Sequence, residues 1–250
     1  MSTWTERHRT PTASGTEIVR EREWDGIPAR IVLQPIAAPS ILGLFGFMGA
    51  TLIVAAHMAG WYGDKETPEF LFPFAAMFGG LAQFAAGMWA YKARDALATA
   101  MHGMWGSFWL GYGILFALAA TGKLTLPEGK FPALGWWFIA LGAVTAMGAL
   151  AALAESLALF AVLSTLAAGS ILAAIAFLLG SSAVETAAGW VFVFSAGFAW
   201  YTASAMMLEA TLGRVLLPLG KYRRAANVPG GTLTSPAQFE AGEPGVRRGQ

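Results

Sequence analysis

The sequence is organised as six long apolar blocks, and this feature restricts the possible folds more than any other. Each block approaches the roughly 20 apolar residues that an α-helix needs to cross a hydrocarbon core about 30 Å thick. Charged residues make up only 12% of the 250 residues and lie almost entirely between the blocks, whereas a soluble domain averages about 25%. No block shows the alternation typical of barrel strands. The pattern therefore predicts an all-α membrane protein, a six-transmembrane-helix bundle.

The predicted spans are Pro39–Gly60, Pro68–Tyr91, Ala96–Ala120, Pro132–Ala154, Ser156–Gly180 and Ala187–Leu212. Only Glu155 and Ser156 separate the fourth and fifth apolar blocks, which together are too long for one span, so we expect a tight turn there. Residues 1–38 are predicted to be a cytoplasmic N-terminal tail and residues 39–220 the transmembrane domain. Residues 221–250 are rich in Gly, Pro, Ala and Ser, and we expect a disordered cytoplasmic tail.

Basic residues are distributed unequally between the two sides of such a bundle. Of the 16 lysines and arginines, 13 fall on the side that carries both ends of the chain and three on the other. Cytoplasmic segments of membrane proteins are enriched in these residues. We therefore expect both termini in the cytoplasm and a multi-pass protein of the plasma or inner membrane.

Composition also limits the chemistry. The chain has no cysteine, so it has no thiolate nucleophile and no Cys-ligated metal. It has no paired-His metal motif and no serine with a convincing base partner, so we expect neither an enzyme nor a bound cofactor or metal. A net charge of +1 gives no indication of a nucleic-acid partner. The partners we expect are membrane lipids and a small solute.

The spans contain almost no fixed charge, which restricts the solute. A multiply charged substrate would need buried counter-charges, and each of these costs at least about 2.5–3.5 kcal/mol at mid-membrane. A small monocarboxylate, its neutral acid, or a small neutral amide such as urea fits better. Transport of such a molecule is one hypothesis, and a structural or regulatory membrane protein is another.

Several uncharged residues are candidates for lining a path. Gly43, Phe47 and Thr51 share one face of the first span at four-residue spacing. Gln83 lies in the middle of the second span, where its amide either bonds to a neighbouring helix or contacts a substrate. The recurring glycines of these two spans, such as Gly46, equally suit close helix packing.

The third span carries a polar and aromatic stripe on one face. This stripe suits an interfacial belt or packing surface as well as a channel wall. Its members are His102, Trp105, Trp109 and Tyr112.

Two titratable residues are candidates for proton coupling. Histidine titrates near neutral pH, so His57, near the outer end of the first span, can act as a proton relay or simply as a hydrogen-bonding group. Glu209 lies near the cytoplasmic end of the sixth span. It can couple protons or form a structural ion pair with Arg214.

Motifs across most of the chain resemble those of the acetate uptake transporter family. The longest is GGLAQFAAGMW over residues 79–89, which is similar to the family's second-helix signature. The shorter matches follow in the family's order. They are Pro39 with Leu42, Gly43, Leu44 and Phe47; His57 with Ala59 and Gly60; Gly106 with Phe108 and Trp109; Ala199, Trp200 and Tyr201; and Leu217 to Gly220.

The resemblance implies a six-helix protomer with one central path, assembled as a homohexamer, that carries small carboxylic acids together with protons. It places the narrow point of the path at Phe47 and Trp105, and it places Tyr201 on the path. The chain departs from the family pattern at Ala38, Ala90 and Trp105, which indicates a divergent member. The sequence therefore favours a channel-like proton symporter for acetate or another small monocarboxylate, with a passive channel for small neutral solutes as the alternative.

Overall fold

The computed structural model describes residues 21–24, 27–30 and 36–221. Two short antiparallel strands, β1 (Glu21–Trp24) and β2 (Ile27–Arg30), form a hairpin in which Glu21 lies opposite Arg30. The sequence pattern does not predict this hairpin. It belongs to a separate compact unit from the helices. The predicted disordered tail lies outside the described residues, apart from its first residue.

Within the described residues, six helices are long and apolar enough to cross a membrane, as predicted. They are α1 (Pro39–Met58), α2 (Thr67–Ala93), α3 (Ala96–Ala120), α4 (Pro132–Ala152), α5 (Leu157–Leu179) and α6 (Ser182–Leu212). The largest difference from the predicted bounds is at α6, which begins five residues early. The hydroxyl of Ser181 accepts a hydrogen bond from the amide of Val184 at 3.4 Å, and a capping serine of this kind starts a helix.

A tight turn joins α4 and α5, as the length of the apolar block predicts. Ser156 has extended backbone angles, and its hydroxyl accepts a hydrogen bond from the amide of Leu159 at 3.2 Å. The cap residue Ser156 directly follows Glu155, and α5 begins at the next residue, Leu157. The turn therefore holds Glu155 at one face of the bundle.

The six helices form a closed ring. Each helix packs against the next one in the chain, and α6 returns to pack against α1. Small residues allow close approach: a methyl group added at Gly87 would lie 2.7 Å from the backbone nitrogen of Gly103, and one at Gly46 would lie 2.5 Å from the carbonyl oxygen of Phe78. At these two glycines the packing interpretation is correct, since lipid-embedded helices associate through such contacts.

Helix α2 is irregular at its centre. A π-helical segment, Ala76–Ala82, separates two α-helical parts, an irregularity that the predicted span Pro68–Tyr91 does not include. Pro73 lies just before it and has no N–H to donate to the helix. A π-helical segment holds more residues per turn, so it changes the direction of the side chains that follow, and such segments are frequent at functional sites. Gln83 is the first residue after it.

Candidate functional site

A cavity enters the ring from one face. Its volume is about 710 Å³, including the part that opens to solvent. Asp95 before α3, Glu155 between α4 and α5, and Lys221 after α6 all lie at its opening, with Ser40 from the start of α1. Because successive helices run in opposite directions, these segments share one face of the bundle. We call the cavity the vestibule and this face the mouth side.

The wall of the vestibule is largely apolar. The side chains below come from four of the helices. All are apolar except that of Thr202 on α6, which carries a hydroxyl group. They are Leu44, Leu97, Met101, Leu159, Val162, Leu163, Thr202 and Met206. Such a wall holds a small organic molecule through its apolar part and leaves recognition of polar groups to a few residues.

Phe47 and Trp105 close the inner end of the vestibule. Their ring centroids lie 6.1 Å apart in an edge-to-face arrangement, and each residue is only 2% exposed. Leu166 of α5, also 2% exposed, lines the same end. The structure thus places together the two residues at which the sequence predicts a narrow point.

A hydrogen bond from Trp105 to a residue of α4 fixes the orientation of the Trp105 ring. Its indole N–H donates to the hydroxyl of Thr145 at 2.9 Å, and that hydroxyl donates to the carbonyl of Leu141 at 2.6 Å. The indole N–H is therefore occupied within the protein. The ring contributes an apolar edge to the closed end.

Two buried polar atoms at the inner vestibule have no hydrogen-bond partner among the residues that the structure describes. These are Oε1 of Gln83 and Nδ1 of His102, on residues that are 3% and 5% exposed and that both line the vestibule. Leaving such an atom unpaired costs about 1–3 kcal/mol. An unpaired amide oxygen is an acceptor, so it suits a ligand that donates a hydrogen bond.

The absence of a side chain at Gly43 creates the space that His102 occupies. A methyl group at Gly43 would lie 2.5 Å from the His102 ring. The sequence predicts Gly43 as a path residue, whereas the structure gives it this indirect role. His102 itself lines the vestibule. At this position the polar and aromatic stripe of the third span is therefore part of the wall.

Thr51 and Trp109 lie one helical turn beyond the closed end. Both are buried, and within the described part of the chain the hydroxyl of Thr51 and the indole nitrogen of Trp109 have no hydrogen-bond partner. They stand above Phe47 and Trp105 on their helices, at four-residue spacing. A second pair of unpartnered polar atoms therefore follows the aromatic closure.

Two acidic side chains meet at the mouth. Asp95 caps α3 by accepting a hydrogen bond from the amide of Ala98 at 2.8 Å. Burial raises the pKa of Asp95, although the backbone hydrogen bonds oppose that shift. Burial, together with the charge of Asp95, raises the pKa of Glu155 to about 7. The second carboxyl is therefore poised to gain or lose a proton near neutral pH.

Glu209 is connected to the mouth through its ion pair with Lys221. Its carboxylate accepts from the Lys221 ammonium at 3.3 Å, with both side chains about 30% exposed. The sequence suggests an ion pair between Glu209 and Arg214. In the structure Glu209 pairs with Lys221 instead, because the chain folds back after α6 and carries Lys221 to this position. Lys221 lines the vestibule opening, whereas Glu209 is not part of the lining.

The segment after α6 frames this opening. The amides of Leu157 and Ala158 donate to the carbonyls of Gly220 and Leu219, at 3.2 and 3.1 Å. The Tyr201 hydroxyl donates to the carbonyl of Pro218 at 2.8 Å. Tyr201 therefore lies outside the vestibule lining and holds the segment that shapes the mouth.

His57 lies at the opposite end of the bundle. Its Nδ1 is 3.2 Å from the carbonyl oxygen of Tyr62, and the Tyr62 hydroxyl donates to the carbonyl of Ile53 at 2.6 Å. Burial raises the pKa of Tyr62. The structure does not bring His57 to the vestibule or to Glu209.

Three charged residues of the vestibule are absent from the sequence prediction. Asp95, Glu155 and Lys221 lie between or after spans, so hydropathy assigns them to loops. The available signal is topological: all three loops fall on the same side of a six-span bundle. Glu155, in a two-residue turn between two apolar blocks, is the most informative of these three residues.

These features define a class: a six-helix membrane protein whose ring encloses a solute-sized vestibule that opens on one face and ends at an aromatic closure. The sequence matches the GPR1/FUN34/yaaH family over residues 26–219, and the chain belongs to this family. This is a family of transporters and channels. Membership therefore confirms the predicted family and the prediction of a transport protein rather than an enzyme.

Two relatives cover most of the chain. It is 27% identical over 186 residues to the succinate-acetate/proton symporter SatP of Escherichia coli strain K12, a match that spans 74% of this chain and 96% of SatP. It is 24% identical over 202 residues to an uncharacterized protein of Methanothermobacter thermautotrophicus, with 75% and 93% covered.

The fold is also similar to a solved structure described as the bacterial acetate channel SatP. The TM-score is 0.68 at 27% identity, and the match covers 74% of this chain and all of that one. The similarity covers the six-helix fold.

Proposed function

We propose that the chain carries acetate or a similar small monocarboxylic acid through the centre of its helix ring, together with a proton. Support comes from the family and from the relatives, one described as a succinate-acetate/proton symporter and one as an acetate channel. The observation that carries the proposal is the inner vestibule. There an apolar wall surrounds the unpartnered Gln83 Oε1 and His102 Nδ1.

A neutral carboxylic acid fits this arrangement. Its alkyl group contacts Leu44 and Val162, while its O–H donates to an acceptor such as Gln83 Oε1. No lysine or arginine lines the inner end among the described residues; the only cation of the lining is Lys221, at the mouth. An anion at the closed end would therefore lack a counter-charge, which is costly in a low-dielectric site.

Proton coupling follows from the same argument. Moving one negative charge against the membrane potential costs about 2.3 kcal/mol per 100 mV. Carrying the acid with its proton avoids that cost. We propose an inner or plasma membrane location with the mouth side in the cytoplasm, because the sequence predicts that 13 of the 16 basic residues fall on that side. We also propose the six-protomer assembly, on the basis of the family resemblance alone.

A passive channel for small neutral solutes is the second candidate. The unpartnered amide oxygen of Gln83 beside an apolar wall also suits the N–H groups of urea or a small amide. Such a pore needs no proton. The two candidates therefore differ in their response to a pH gradient.

Flux measurements separate the two functions. Purified protein in liposomes is supplied with labelled acetate or labelled urea, with and without an inward proton gradient. We expect an inward gradient to accelerate acetate uptake severalfold and urea uptake to stay at the level of protein-free liposomes. Acetate uptake that ignores the gradient, together with rapid urea flux, would replace the symporter with the passive channel.

A further inference from the structure

The mouth of the vestibule contains a carboxyl pair to which the proposed transport assigns no role so far. Asp95 and Glu155 both line the opening. Asp95 is bound as the cap of α3, which leaves Glu155 as the member of the pair that is free to exchange a proton with a passing molecule.

A buried histidine, His102, lies deeper in the same vestibule. It lies seven residues after Asp95 on α3, roughly 10 Å deeper along the helix axis, and its unpartnered Nδ1 belongs to the same vestibule lining. The amide oxygen of Gln83 lies in the same lining, is also unpartnered among the described residues, and can only accept a hydrogen bond. A cargo that satisfies this oxygen by donating arrives protonated. It must then lose its proton before it leaves as an anion.

We propose that Glu155 is the proton-release site of the transporter, with Asp95 as the residue that positions and tunes it. The inference rests on the proposed carboxylic-acid transport. In the step itself the cargo O–H bond breaks, its electron pair stays on the cargo as a carboxylate, and the proton forms a new O–H bond on the Glu155 carboxylate. Glu155 then returns the proton to the water on the mouth side.

The surrounding charges suit this step. Burial and the negative charge of Asp95 keep the pKa of Glu155 near 7, so its carboxylate takes up a proton and releases it again at cytoplasmic pH. Lys221 at the opening attracts the newly formed anion outward. Among the described residues, the charged and titratable groups that share the vestibule lining with Glu155 are Asp95, His102 and Lys221, and Lys221 is paired with Glu209.

The sign of the pH dependence follows from this role. Glu155 accepts a proton only when it is ionised, so release is slow below a mouth-side pH of about 7 and fast above it. With the outer pH fixed and no acetate inside, the initial uptake rate should rise as the mouth-side pH increases through that value. The rise should be on the order of tenfold, within the contribution of a positioned base.

The test compares three variants in proteoliposomes whose orientation is verified by cleavage of a C-terminal tag. Glu155→Gln should remove the rise and hold uptake at the low-pH level. Asp95→Asn keeps the helix cap, because asparagine caps as well as aspartate, but removes the charge. It should move the midpoint to lower pH by roughly half a unit to one unit. Glu128→Gln, an exposed acid in the loop on the opposite face, should behave as wild type.

A second measurement is independent of transport. The infrared C=O stretching band of a protonated carboxyl should titrate near neutral pH in the wild type and be missing in Glu155→Gln. If Glu155→Gln does not fold, Asp95→Asn and the wild-type band carry the test. Wild-type acetate uptake with an unchanged pH profile in Glu155→Gln would overturn the release site alone, whereas absence of wild-type acetate uptake would overturn the proposed function.

Discussion

Replacing Phe47 with alanine should raise acid flux on the order of tenfold and admit larger acids such as benzoate. The Phe47 ring forms one side of the closure at the inner end of the vestibule. Without it, the vestibule joins the region of Thr51 and Trp109, and a reduction of the barrier by about 1.4 kcal/mol corresponds to a tenfold rate. Labelled acetate and benzoate uptake in liposomes measures both effects.

Phe45→Ala is the matched control. Phe45 lies on the same helix, is partly buried against the core and is absent from the vestibule lining. Its loss should reduce stability without raising flux or changing selectivity. Trp105 is a less direct target, since its hydrogen bond to Thr145 would also be broken. A folded Phe47→Ala protein with wild-type rates would exclude this ring from the barrier.

The substitution Gln83→Leu should lower acetate uptake by roughly 10- to 100-fold while leaving the fold intact. A site built to hydrogen-bond its ligand loses much of its ability to bind and transport that ligand when the hydrogen bond is removed. Leucine has a similar volume and replaces a buried acceptor that has no hydrogen-bond partner in residues 36–221. Relief of that cost, about 1–3 kcal/mol, should keep the melting temperature level or raise it.

The combination of lower transport with undiminished stability distinguishes the two interpretations of Gln83. If its amide only joined helices, Gln83→Leu would lower the melting temperature and change uptake little. Gln83→Asn, with a shorter amide, should retain part of the activity. Uptake equal to wild type in Gln83→Leu would remove Gln83 from the substrate path.

The number and type of helices could be predicted because lipid imposes a simple rule on sequence. Each span must satisfy its backbone internally and present apolar side chains, so six apolar blocks are visible without any tertiary information. The start of α6 was missed because Ser181 caps the helix within a stretch that hydropathy assigns to a loop. Helix caps depend on local hydrogen bonds rather than on apolar content.

The candidate site could be predicted only in its apolar and aromatic part. Phe47 and Gln83 lie inside apolar spans, where a large ring or an amide is conspicuous. The mouth depends on which loops meet in space, so Glu155 and Lys221 could not be recognised from their neighbours in sequence. The irregular turn before Gln83 was equally hidden, since a π-helical segment has the same composition as a regular helix.

Cysteine labelling tests most directly whether the acid passes through the vestibule, because the native chain has no cysteine. Leu44 lines the vestibule at 4% exposure, whereas Leu42, two residues earlier, is 51% exposed on the outside of the ring. Each is changed to cysteine and treated from the mouth side with a small thiol-reactive sulfonate. We expect labelling at position 44 to abolish acetate uptake and labelling at position 42 to leave it unchanged. Full uptake after complete labelling at position 44 would contradict a path through the vestibule.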